Sequence, residues 1–274
     1  MSATQSHSPS ADPSRAFTLP GIGLHNVLQC ASVAACVLLW HVVTTHHLNF
    51  GFVNFSNVPS PAQAAEAAWR LLHSPKLQRH VTASLVRVGS GFGIAAVFGI
   101  VLGLCIGRWR WARDPVLPAL EVLRPIPAVA WIPLAILMFP SSEGSMIFIT
   151  FLGAVYPILL NTIHGAESVD TRLVSAARSL GTAPLRMFLE VILPAAAPSI
   201  ATGLSIGMGT CWFCLVTAEM IAGQYGIGYY TWESYTVQNY PDIIVGMLII
   251  GGFGMFSSFL VRRLMQALTP WHNP

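Results

Sequence analysis

Charge is what this sequence has least of. Of its 274 residues only 9% are Asp, Glu, Lys or Arg, against roughly 25% in an ordinary soluble domain. Too little polar surface remains to clothe a particle folded in water. Lysine is nearly absent: Lys76 is the only one, in His73-Ser74-Pro75-Lys76-Leu77 with no glycine beside it. A phosphate-cradling loop needs a glycine-rich turn ending in Lys-Ser/Thr, so the chain carries no recognisable nucleotide site. The formal net charge of +3 comes from 14 basic and 11 acidic residues with no basic block, which removes nucleic acid as a partner. Cysteine is sparse too. Cys30, Cys36, Cys105, Cys211 and Cys214 all lie inside apolar runs, whereas a disulfide framework staples exposed segments. Cys211-x-x-Cys214 has no histidine near it, so its spacing reads as core packing ahead of zinc or redox chemistry.

What is abundant is apolar: 54% of the chain is hydrophobic. A helix needs about 20 apolar residues to cross a bilayer. Six segments qualify: 27–45, 81–107, 115–139, 146–163, 199–222 and 243–261. The expectation is an all-α integral membrane protein of six transmembrane helices. The first run is too long for a signal-peptide core and no small-residue cleavage site follows it, so it reads as a retained span. Residues 1–24, rich in Ser, Pro and Thr, read as a disordered cytoplasmic tail, and 25–274 as the transmembrane domain. With the N-terminus inside, Arg15, Arg108, Arg110, Arg113, Arg172, Arg178, Arg186, Arg262 and Arg263 gather on the cytoplasmic side. Only Arg70, Lys76 and Arg79 lie outside. That asymmetry puts both termini in the cytoplasm. In the first outer loop, Ser60-Pro61-Ala62-Gln63 offers a helix start. Ala65, Ala68, Trp69 and Leu72 follow as its apolar stripe, facing either the membrane interface or the other spans.

Several features within the spans need a reason. Gly89 and Gly93, then Gly99, Gly103 and Gly107, recur four residues apart in the second span, and Ser199, Gly203 and Gly207 do so in the fifth. Such faces let backbones approach closely, for fixed packing or for sliding. The third span holds Pro118, Pro125, Pro127 and Pro133, so it cannot be a straight helix. The break is either a structural kink or the lining of a path. Arg124 stands immediately before Pro125, with Glu121 three residues earlier as an ion-pair candidate, and Glu219 lies near the outer end of the fifth span. Ionisable groups at such depth are either satisfied by neighbours or used in translocation. Arg124, Pro125, Pro127 and Glu219 are therefore the candidate path residues.

The connection 164–198 carries the sharpest pattern. Asp170 can cap a helix through Leu180, whose stripe is Leu173, Val174, Ala177 and Leu180. Gly181 falls where a left-handed residue ends a helix. Thr182 can cap a second helix with Pro184 in its first turn, a stripe of Leu185, Phe188, Leu189 and Ile192, and Pro194 as its end. Two short amphipathic helices meeting at a glycine make an elbow with one face left for a partner.

Ser175-Ala176-Ala177, three residues, Gly181, nine residues and Val191-Ile192-Leu193-Pro194 together resemble the E-A-A loop of ABC importer permeases. The glycine and L-P offsets match; Ser175 stands in place of Glu and Val191 in place of Ile. The likeness runs from about Val58 to Arg263 and is nearest to the permeases for nitrate, sulfonates and taurine. Val58-Pro59-Ser60-Pro61, Leu123-Arg124-Pro125-Ile126-Pro127, Phe151-Leu152-Gly153-Ala154, Ser168-Val169-Asp170 and Ala218-Glu219-Met220 support it. The resemblance implies the type I importer permease fold in the bacterial inner membrane, working as a pair of copies, a homodimer. It further implies cytoplasmic ATP-binding subunits that carry the ATP and magnesium, a periplasmic solute-binding protein, and no catalysis or cofactor on this chain. Ser175, Ala176, Ala177, Gly181, Leu193 and Pro194 become the ATPase-coupling residues. The cargo implied is a small anion, with a sulfonate such as taurine favoured over nitrate.

Two other classes compete with this reading. Gly203-Leu204-Ser205-Ile206-Gly207 matches G-x-S-x-G, but the only later histidine is His272, in the tail. An intramembrane serine protease would lack its base. An ion-coupled carrier or channel is the stronger alternative, yet no internal repeat is visible, and Glu121 and Glu219 are the only candidate coupling carboxylates.

Overall fold

The computed structural model describes residues 24–46, 51, 55 and 57–272. The chain divides into two compact units, 1–61 and 62–274. The expected tail falls outside the described residues except for Leu24, which opens α1 (Leu24–Thr45). This helix is 22 residues long, about 33 Å at 1.5 Å per residue. From within it, Trp40 Nε1 donates to the Pro59 carbonyl at 3.0 Å, still in the first unit.

The second unit is all helix among its described residues: α2 (Pro61–Leu72), α3 (Pro75–Arg108), α4 (Arg110–Leu123), α5 (Ile132–Met138), α6 (Ser142–Glu167), α7 (Thr171–Ser179), α8 (Pro184–Met187), α9 (Leu193–Ala222), α10 (Ile227–Thr236) and α11 (Tyr240–Leu268). Its centre is α6, flanked by α3 and α9. In lipid there is no hydrophobic gain from joining two apolar helices, so the pairs must hold by close contact. Small residues supply it. Methyl-sized additions at Gly91, Gly99, Gly103 and Gly107 of α3 would come within 2.7–2.9 Å of Thr150, Ile158, Thr162 and Ala166 of α6. Gly203 and Gly207 of α9 sit equally tight against Asn161 and Ile158. Ile158, fully buried, is thus wedged between two glycine faces. The α3 face differs in part from the sequence expectation. Gly89 and Gly93 meet nothing within 4 Å, because the four-residue repeat that faces α6 runs through Gly91 and Ala95 instead.

These contacts fix direction. Along α3 and α6 the paired residue numbers rise together, so the two helices are parallel; along α6 and α9 one number rises as the other falls, so they are antiparallel. A chain that leaves α3 at Arg108 and enters a parallel, side-by-side α6 at Ser142 must travel back the full length of the pair. The intervening 109–141 is therefore a crossing, not a re-entrant loop. It is made in two pieces, since α4 and the segment 128–138 meet at 85°. With this broken span counted once, six candidate spans are present among the described residues.

The short helix α2 forms where expected but turns another face inward. Ala64, Ala67 and Leu71 are buried, the last two packing with Tyr230 and Val245. Trp69 and Leu72 remain exposed. The anchoring surface on α10 and α11 selects the stripe one residue back from the one that looks most apolar.

Candidate functional site

The elbow is built from local rules. Asp170 accepts from the Arg172 amide at 2.8 Å and starts α7. Gly181 has φ +74°, a left-handed conformation that costs a β-carbon-bearing residue. Its amide donates to the Arg178 carbonyl, and Thr182 donates to Ala177 at 3.1 Å, closing the end of α7 in the Schellman pattern. Thr182 is thereby committed to closing α7, so Ala183 takes the cap position of α8 and Thr182 does not. Pro194 also behaves otherwise than expected: it does not end a helix. Residues Phe188–Ile192 form a π turn in which Leu193 donates to the Phe188 carbonyl. The wider turn accommodates a ring with no amide of its own, and the helix runs unbroken from Pro184 to Ala222.

Of the candidate coupling residues, Ser175, Ala176 and Gly181 are exposed, and Leu193 and Pro194 half-buried. Ala177 points inward against Met187 and Ile192. Leu173, Leu180, Leu185 and Leu189 stand in the open, Leu180 at 86%. The Phe188 ring stacks on Trp109, with centroids 5.9 Å apart, tying the elbow to the end of α3.

The break in the third span forms a second site. A cavity of about 350 Å³ lies between the α4 end, α6 and α9, lined among others by Arg124, Pro127, Trp131, Tyr156 and Thr210. Gly153 and Leu152 line it too, which puts it near the middle of α6. Arg124 is its one charged residue. The expected partner does not pair with it: Glu121 and Arg124 are both exposed, and no ion pair joins them among the described residues. Pro125 is exposed beside the cavity without lining it. Arg124 and Pro127 are thus brought together, and Glu219 is elsewhere.

Glu219 is fully buried in a cluster near the start of α3. Its Oε1 accepts from Arg87 Nη1 at 2.8 Å and from Ser84 Oγ at 2.7 Å, and its Oε2 from the Gly228 amide at 2.9 Å. Arg87, 1% exposed, also donates to the Tyr225 carbonyl at 2.6 Å and through Nε to Glu143 at 2.8 Å, with a second bond to the same carboxylate. Each nitrogen of the guanidinium thus finds an acceptor, with four of the five N–H groups bonded, the condition under which a buried charge is tolerated. The loop after α9 wraps the carboxylate closely. Gly226 has φ +129°, and a β-carbon there would fall 2.3 Å from the Glu219 carboxyl carbon. Arg87 and Glu143 went unrecognised in the sequence. A signal was available for Arg87: it and Glu219 are lone opposite charges in separate apolar spans and predict each other, since neither is tolerated alone.

Other sequence features settle into packing. Ser205 of the G-x-S-x-G match donates to the Ala201 carbonyl of its own helix at 2.9 Å, and Gly203 and Gly207 face α6. Cys211 and Cys214 are buried in the main core, Cys214 against Gly153.

Residues 95–272 match the family described as the binding-protein-dependent transport system inner membrane component. A nitrate import permease protein of Synechocystis is 33% identical over 253 residues, covering 89% of this chain and 90% of its own. A putative ABC transporter permease protein of Methanocaldococcus jannaschii is 36% identical over 256 residues, covering 90% and 92%. A bicarbonate transport system permease protein of Synechococcus elongatus is 32% identical over 257 residues, covering 89% and 88%. Among solved structures, an inward-facing form of the MetNI methionine ABC transporter shares the fold with a TM-score of 0.50 at 18% identity, covering 74% of this chain and 96% of that one. On the extent of the family match and of these identities, the chain belongs to the binding-protein-dependent inner membrane components, the non-catalytic multi-pass permeases of ABC-type importers that work with a separate ATPase and a solute-binding protein.

Proposed function

We propose that this permease passes a small, singly charged oxyanion through the break in its third span, with Arg124 as the group that recognises it. The observation that carries this reading is the cavity itself. It sits mid-span, it is opened by prolines that free backbone groups, and its one charge is an arginine without a carboxylate partner among the described residues. A guanidinium offers two parallel donors to a planar oxyanion. Relatives named for nitrate and bicarbonate import favour such a planar anion over the sulfonate that the sequence alone suggested.

The elbow is the dock for the ATPase. Its exposed Leu180, Leu185 and Leu189 form an apolar face with Ser175 on the rim, and Gly181 sets the angle between its two helices. The elbow side is then cytoplasmic. Five crossings from α3 to α11 return the C-terminus to that side, and α1 as a sixth places the N-terminus there as well. Two copies, most simply identical, enclose the path. ATP-driven closure of the ATPase pair draws the elbows together and turns the cavity outward; hydrolysis resets it.

The test is uptake of labelled nitrate or bicarbonate by the reconstituted permease, ATPase and binding protein. Arg124→Gln should lower uptake at least about tenfold, the loss of one charged hydrogen-bonding partner, while the permease still assembles with its ATPase. Undiminished uptake by that variant overturns the role of Arg124. Taurine transported in preference to either oxyanion overturns the cargo assignment.

A further inference from the structure

A separate polar cavity of about 470 Å³ lies at the end of α3 remote from the elbow, between the first turns of that helix, the loop after α9 and the start of α10. With α3 34 residues long, it stands about 50 Å from the elbow at 1.5 Å per residue. Arg124 is not part of it. Lys76, Arg79 and His80 fall on one face of α3 at three- and four-residue spacing and all line this cavity. Gln224 and Tyr229 face them from the other wall, and Glu233 is the single acidic group. Two cations against one carboxylate leave the lining with a formal charge of +1, His80 being neutral.

The neutrality of His80 follows from its hydrogen bond. The Gly226 amide donates to Nδ1 at 3.1 Å, so Nδ1 holds a lone pair and the proton must be on Nε2. His80 is only 7% exposed, and the rings of Tyr225, Tyr229 and Tyr230 surround it at 5.6–6.2 Å. Its Nε2–H has no partner among the described residues, yet no buried side-chain nitrogen is left unsatisfied. The donor therefore opens into the cavity. Of the two cations on this face, Arg79 is held in place: its guanidinium lies 5.1 Å over the Tyr225 ring, which fixes a long side chain that water would otherwise let wander. Glu233 is turned toward Tyr229, whose hydroxyl donates to it at 3.4 Å.

We infer that this cavity is a second anion site, taking a free small oxyanion at the mouth of the permease, with His80 Nε2–H at its floor and Lys76 and Arg79 at its rim. It is independent of the path at Arg124. A neutral fixed donor below and two mobile or braced cations above suit an ion that arrives from water and leaves again.

The experiment is calorimetric titration of sodium nitrate, and separately sodium bicarbonate, into the full-length permease in lipid nanodiscs at constant ionic strength. The wild-type chain should show saturable binding at this site. Lys76→Gln and Arg79→Gln, both exposed changes that leave the fold intact by melting temperature, should each weaken it about tenfold, as loss of a charged hydrogen-bonding partner does. Arg124→Gln should leave this isotherm in place even if it abolishes transport, which separates failure here from failure of the path assignment. A flat isotherm for the wild type, or one unchanged in the Lys76→Gln, Arg79→Gln double variant, overturns the proposal. If Arg79→Gln instead weakens only docking of the solute-binding protein, the cavity receives a carboxylate of that partner and the free-anion site is likewise overturned.

Discussion

The two ends of the α3–α6–α9 bundle are built on opposite principles. At one end Arg87, Glu219 and Ser84 are buried and every polar group is matched, with Gly226 and Gly228 folded tightly over the carboxylate. At the other, the elbow places Leu173, Leu180, Leu185 and Leu189 in the open and holds its angle with one glycine around which a β-carbon would meet nothing within 4 Å. A buried network resists change because each part depends on the rest. An exposed apolar face contributes little to the chain's own stability and is available to something else. One end of the bundle is thus closed on its own polar groups, and the other leaves apolar side chains uncovered.

Arg87→Leu should have the largest effect. It leaves Glu219 buried without its cation, a loss of about 3–5 kcal/mol, read as a large fall in melting temperature or failure to accumulate in the membrane. Gly181→Val comes next. A β-branched residue forced to φ +74° costs about 1–2 kcal/mol, with no steric clash added, so the chain should still reach the membrane. It should nevertheless lose uptake and stimulated ATP hydrolysis, and normal uptake would detach the elbow from coupling. Leu185→Glu should have the smallest effect on the chain alone, within about 0.5 kcal/mol for an exposed site, but should impair association with the ATPase in co-purification. If that variant melts as low as Arg87→Leu, the elbow's apolar face is part of the chain's own core and the two ends are alike.

Much of the elbow was legible in the sequence because its rules act over a few residues: the Asp170 cap, the left-handed Gly181, and the apolar spacing between them. Pro194 misled for the same local reason. Read alone it ends a helix, and only the π turn at Phe188–Ile192 shows how the helix passes through. The number of spans followed from hydropathy, and the break in the third from its prolines. The Arg87–Glu219 pair, 132 residues apart in sequence, needed the packing of α3 on α6 and α9 to become visible. So did the inward face of α2 and the replacement of Gly89 and Gly93 by Gly91, since a helix pattern names possible faces and the neighbour chooses one.

The unbroken helix from Pro184 to Ala222 has a mechanical consequence. At 39 residues it is a shaft about 58 Å long. A tilt of about 5° imposed at the Pro184 tip swings the far tip by about 5 Å, close to one helical pitch. That far tip carries Glu219, clamped through Arg87 to α3 and Glu143 of α6. A swing of that tip would therefore draw on three helices and not on one shaft alone.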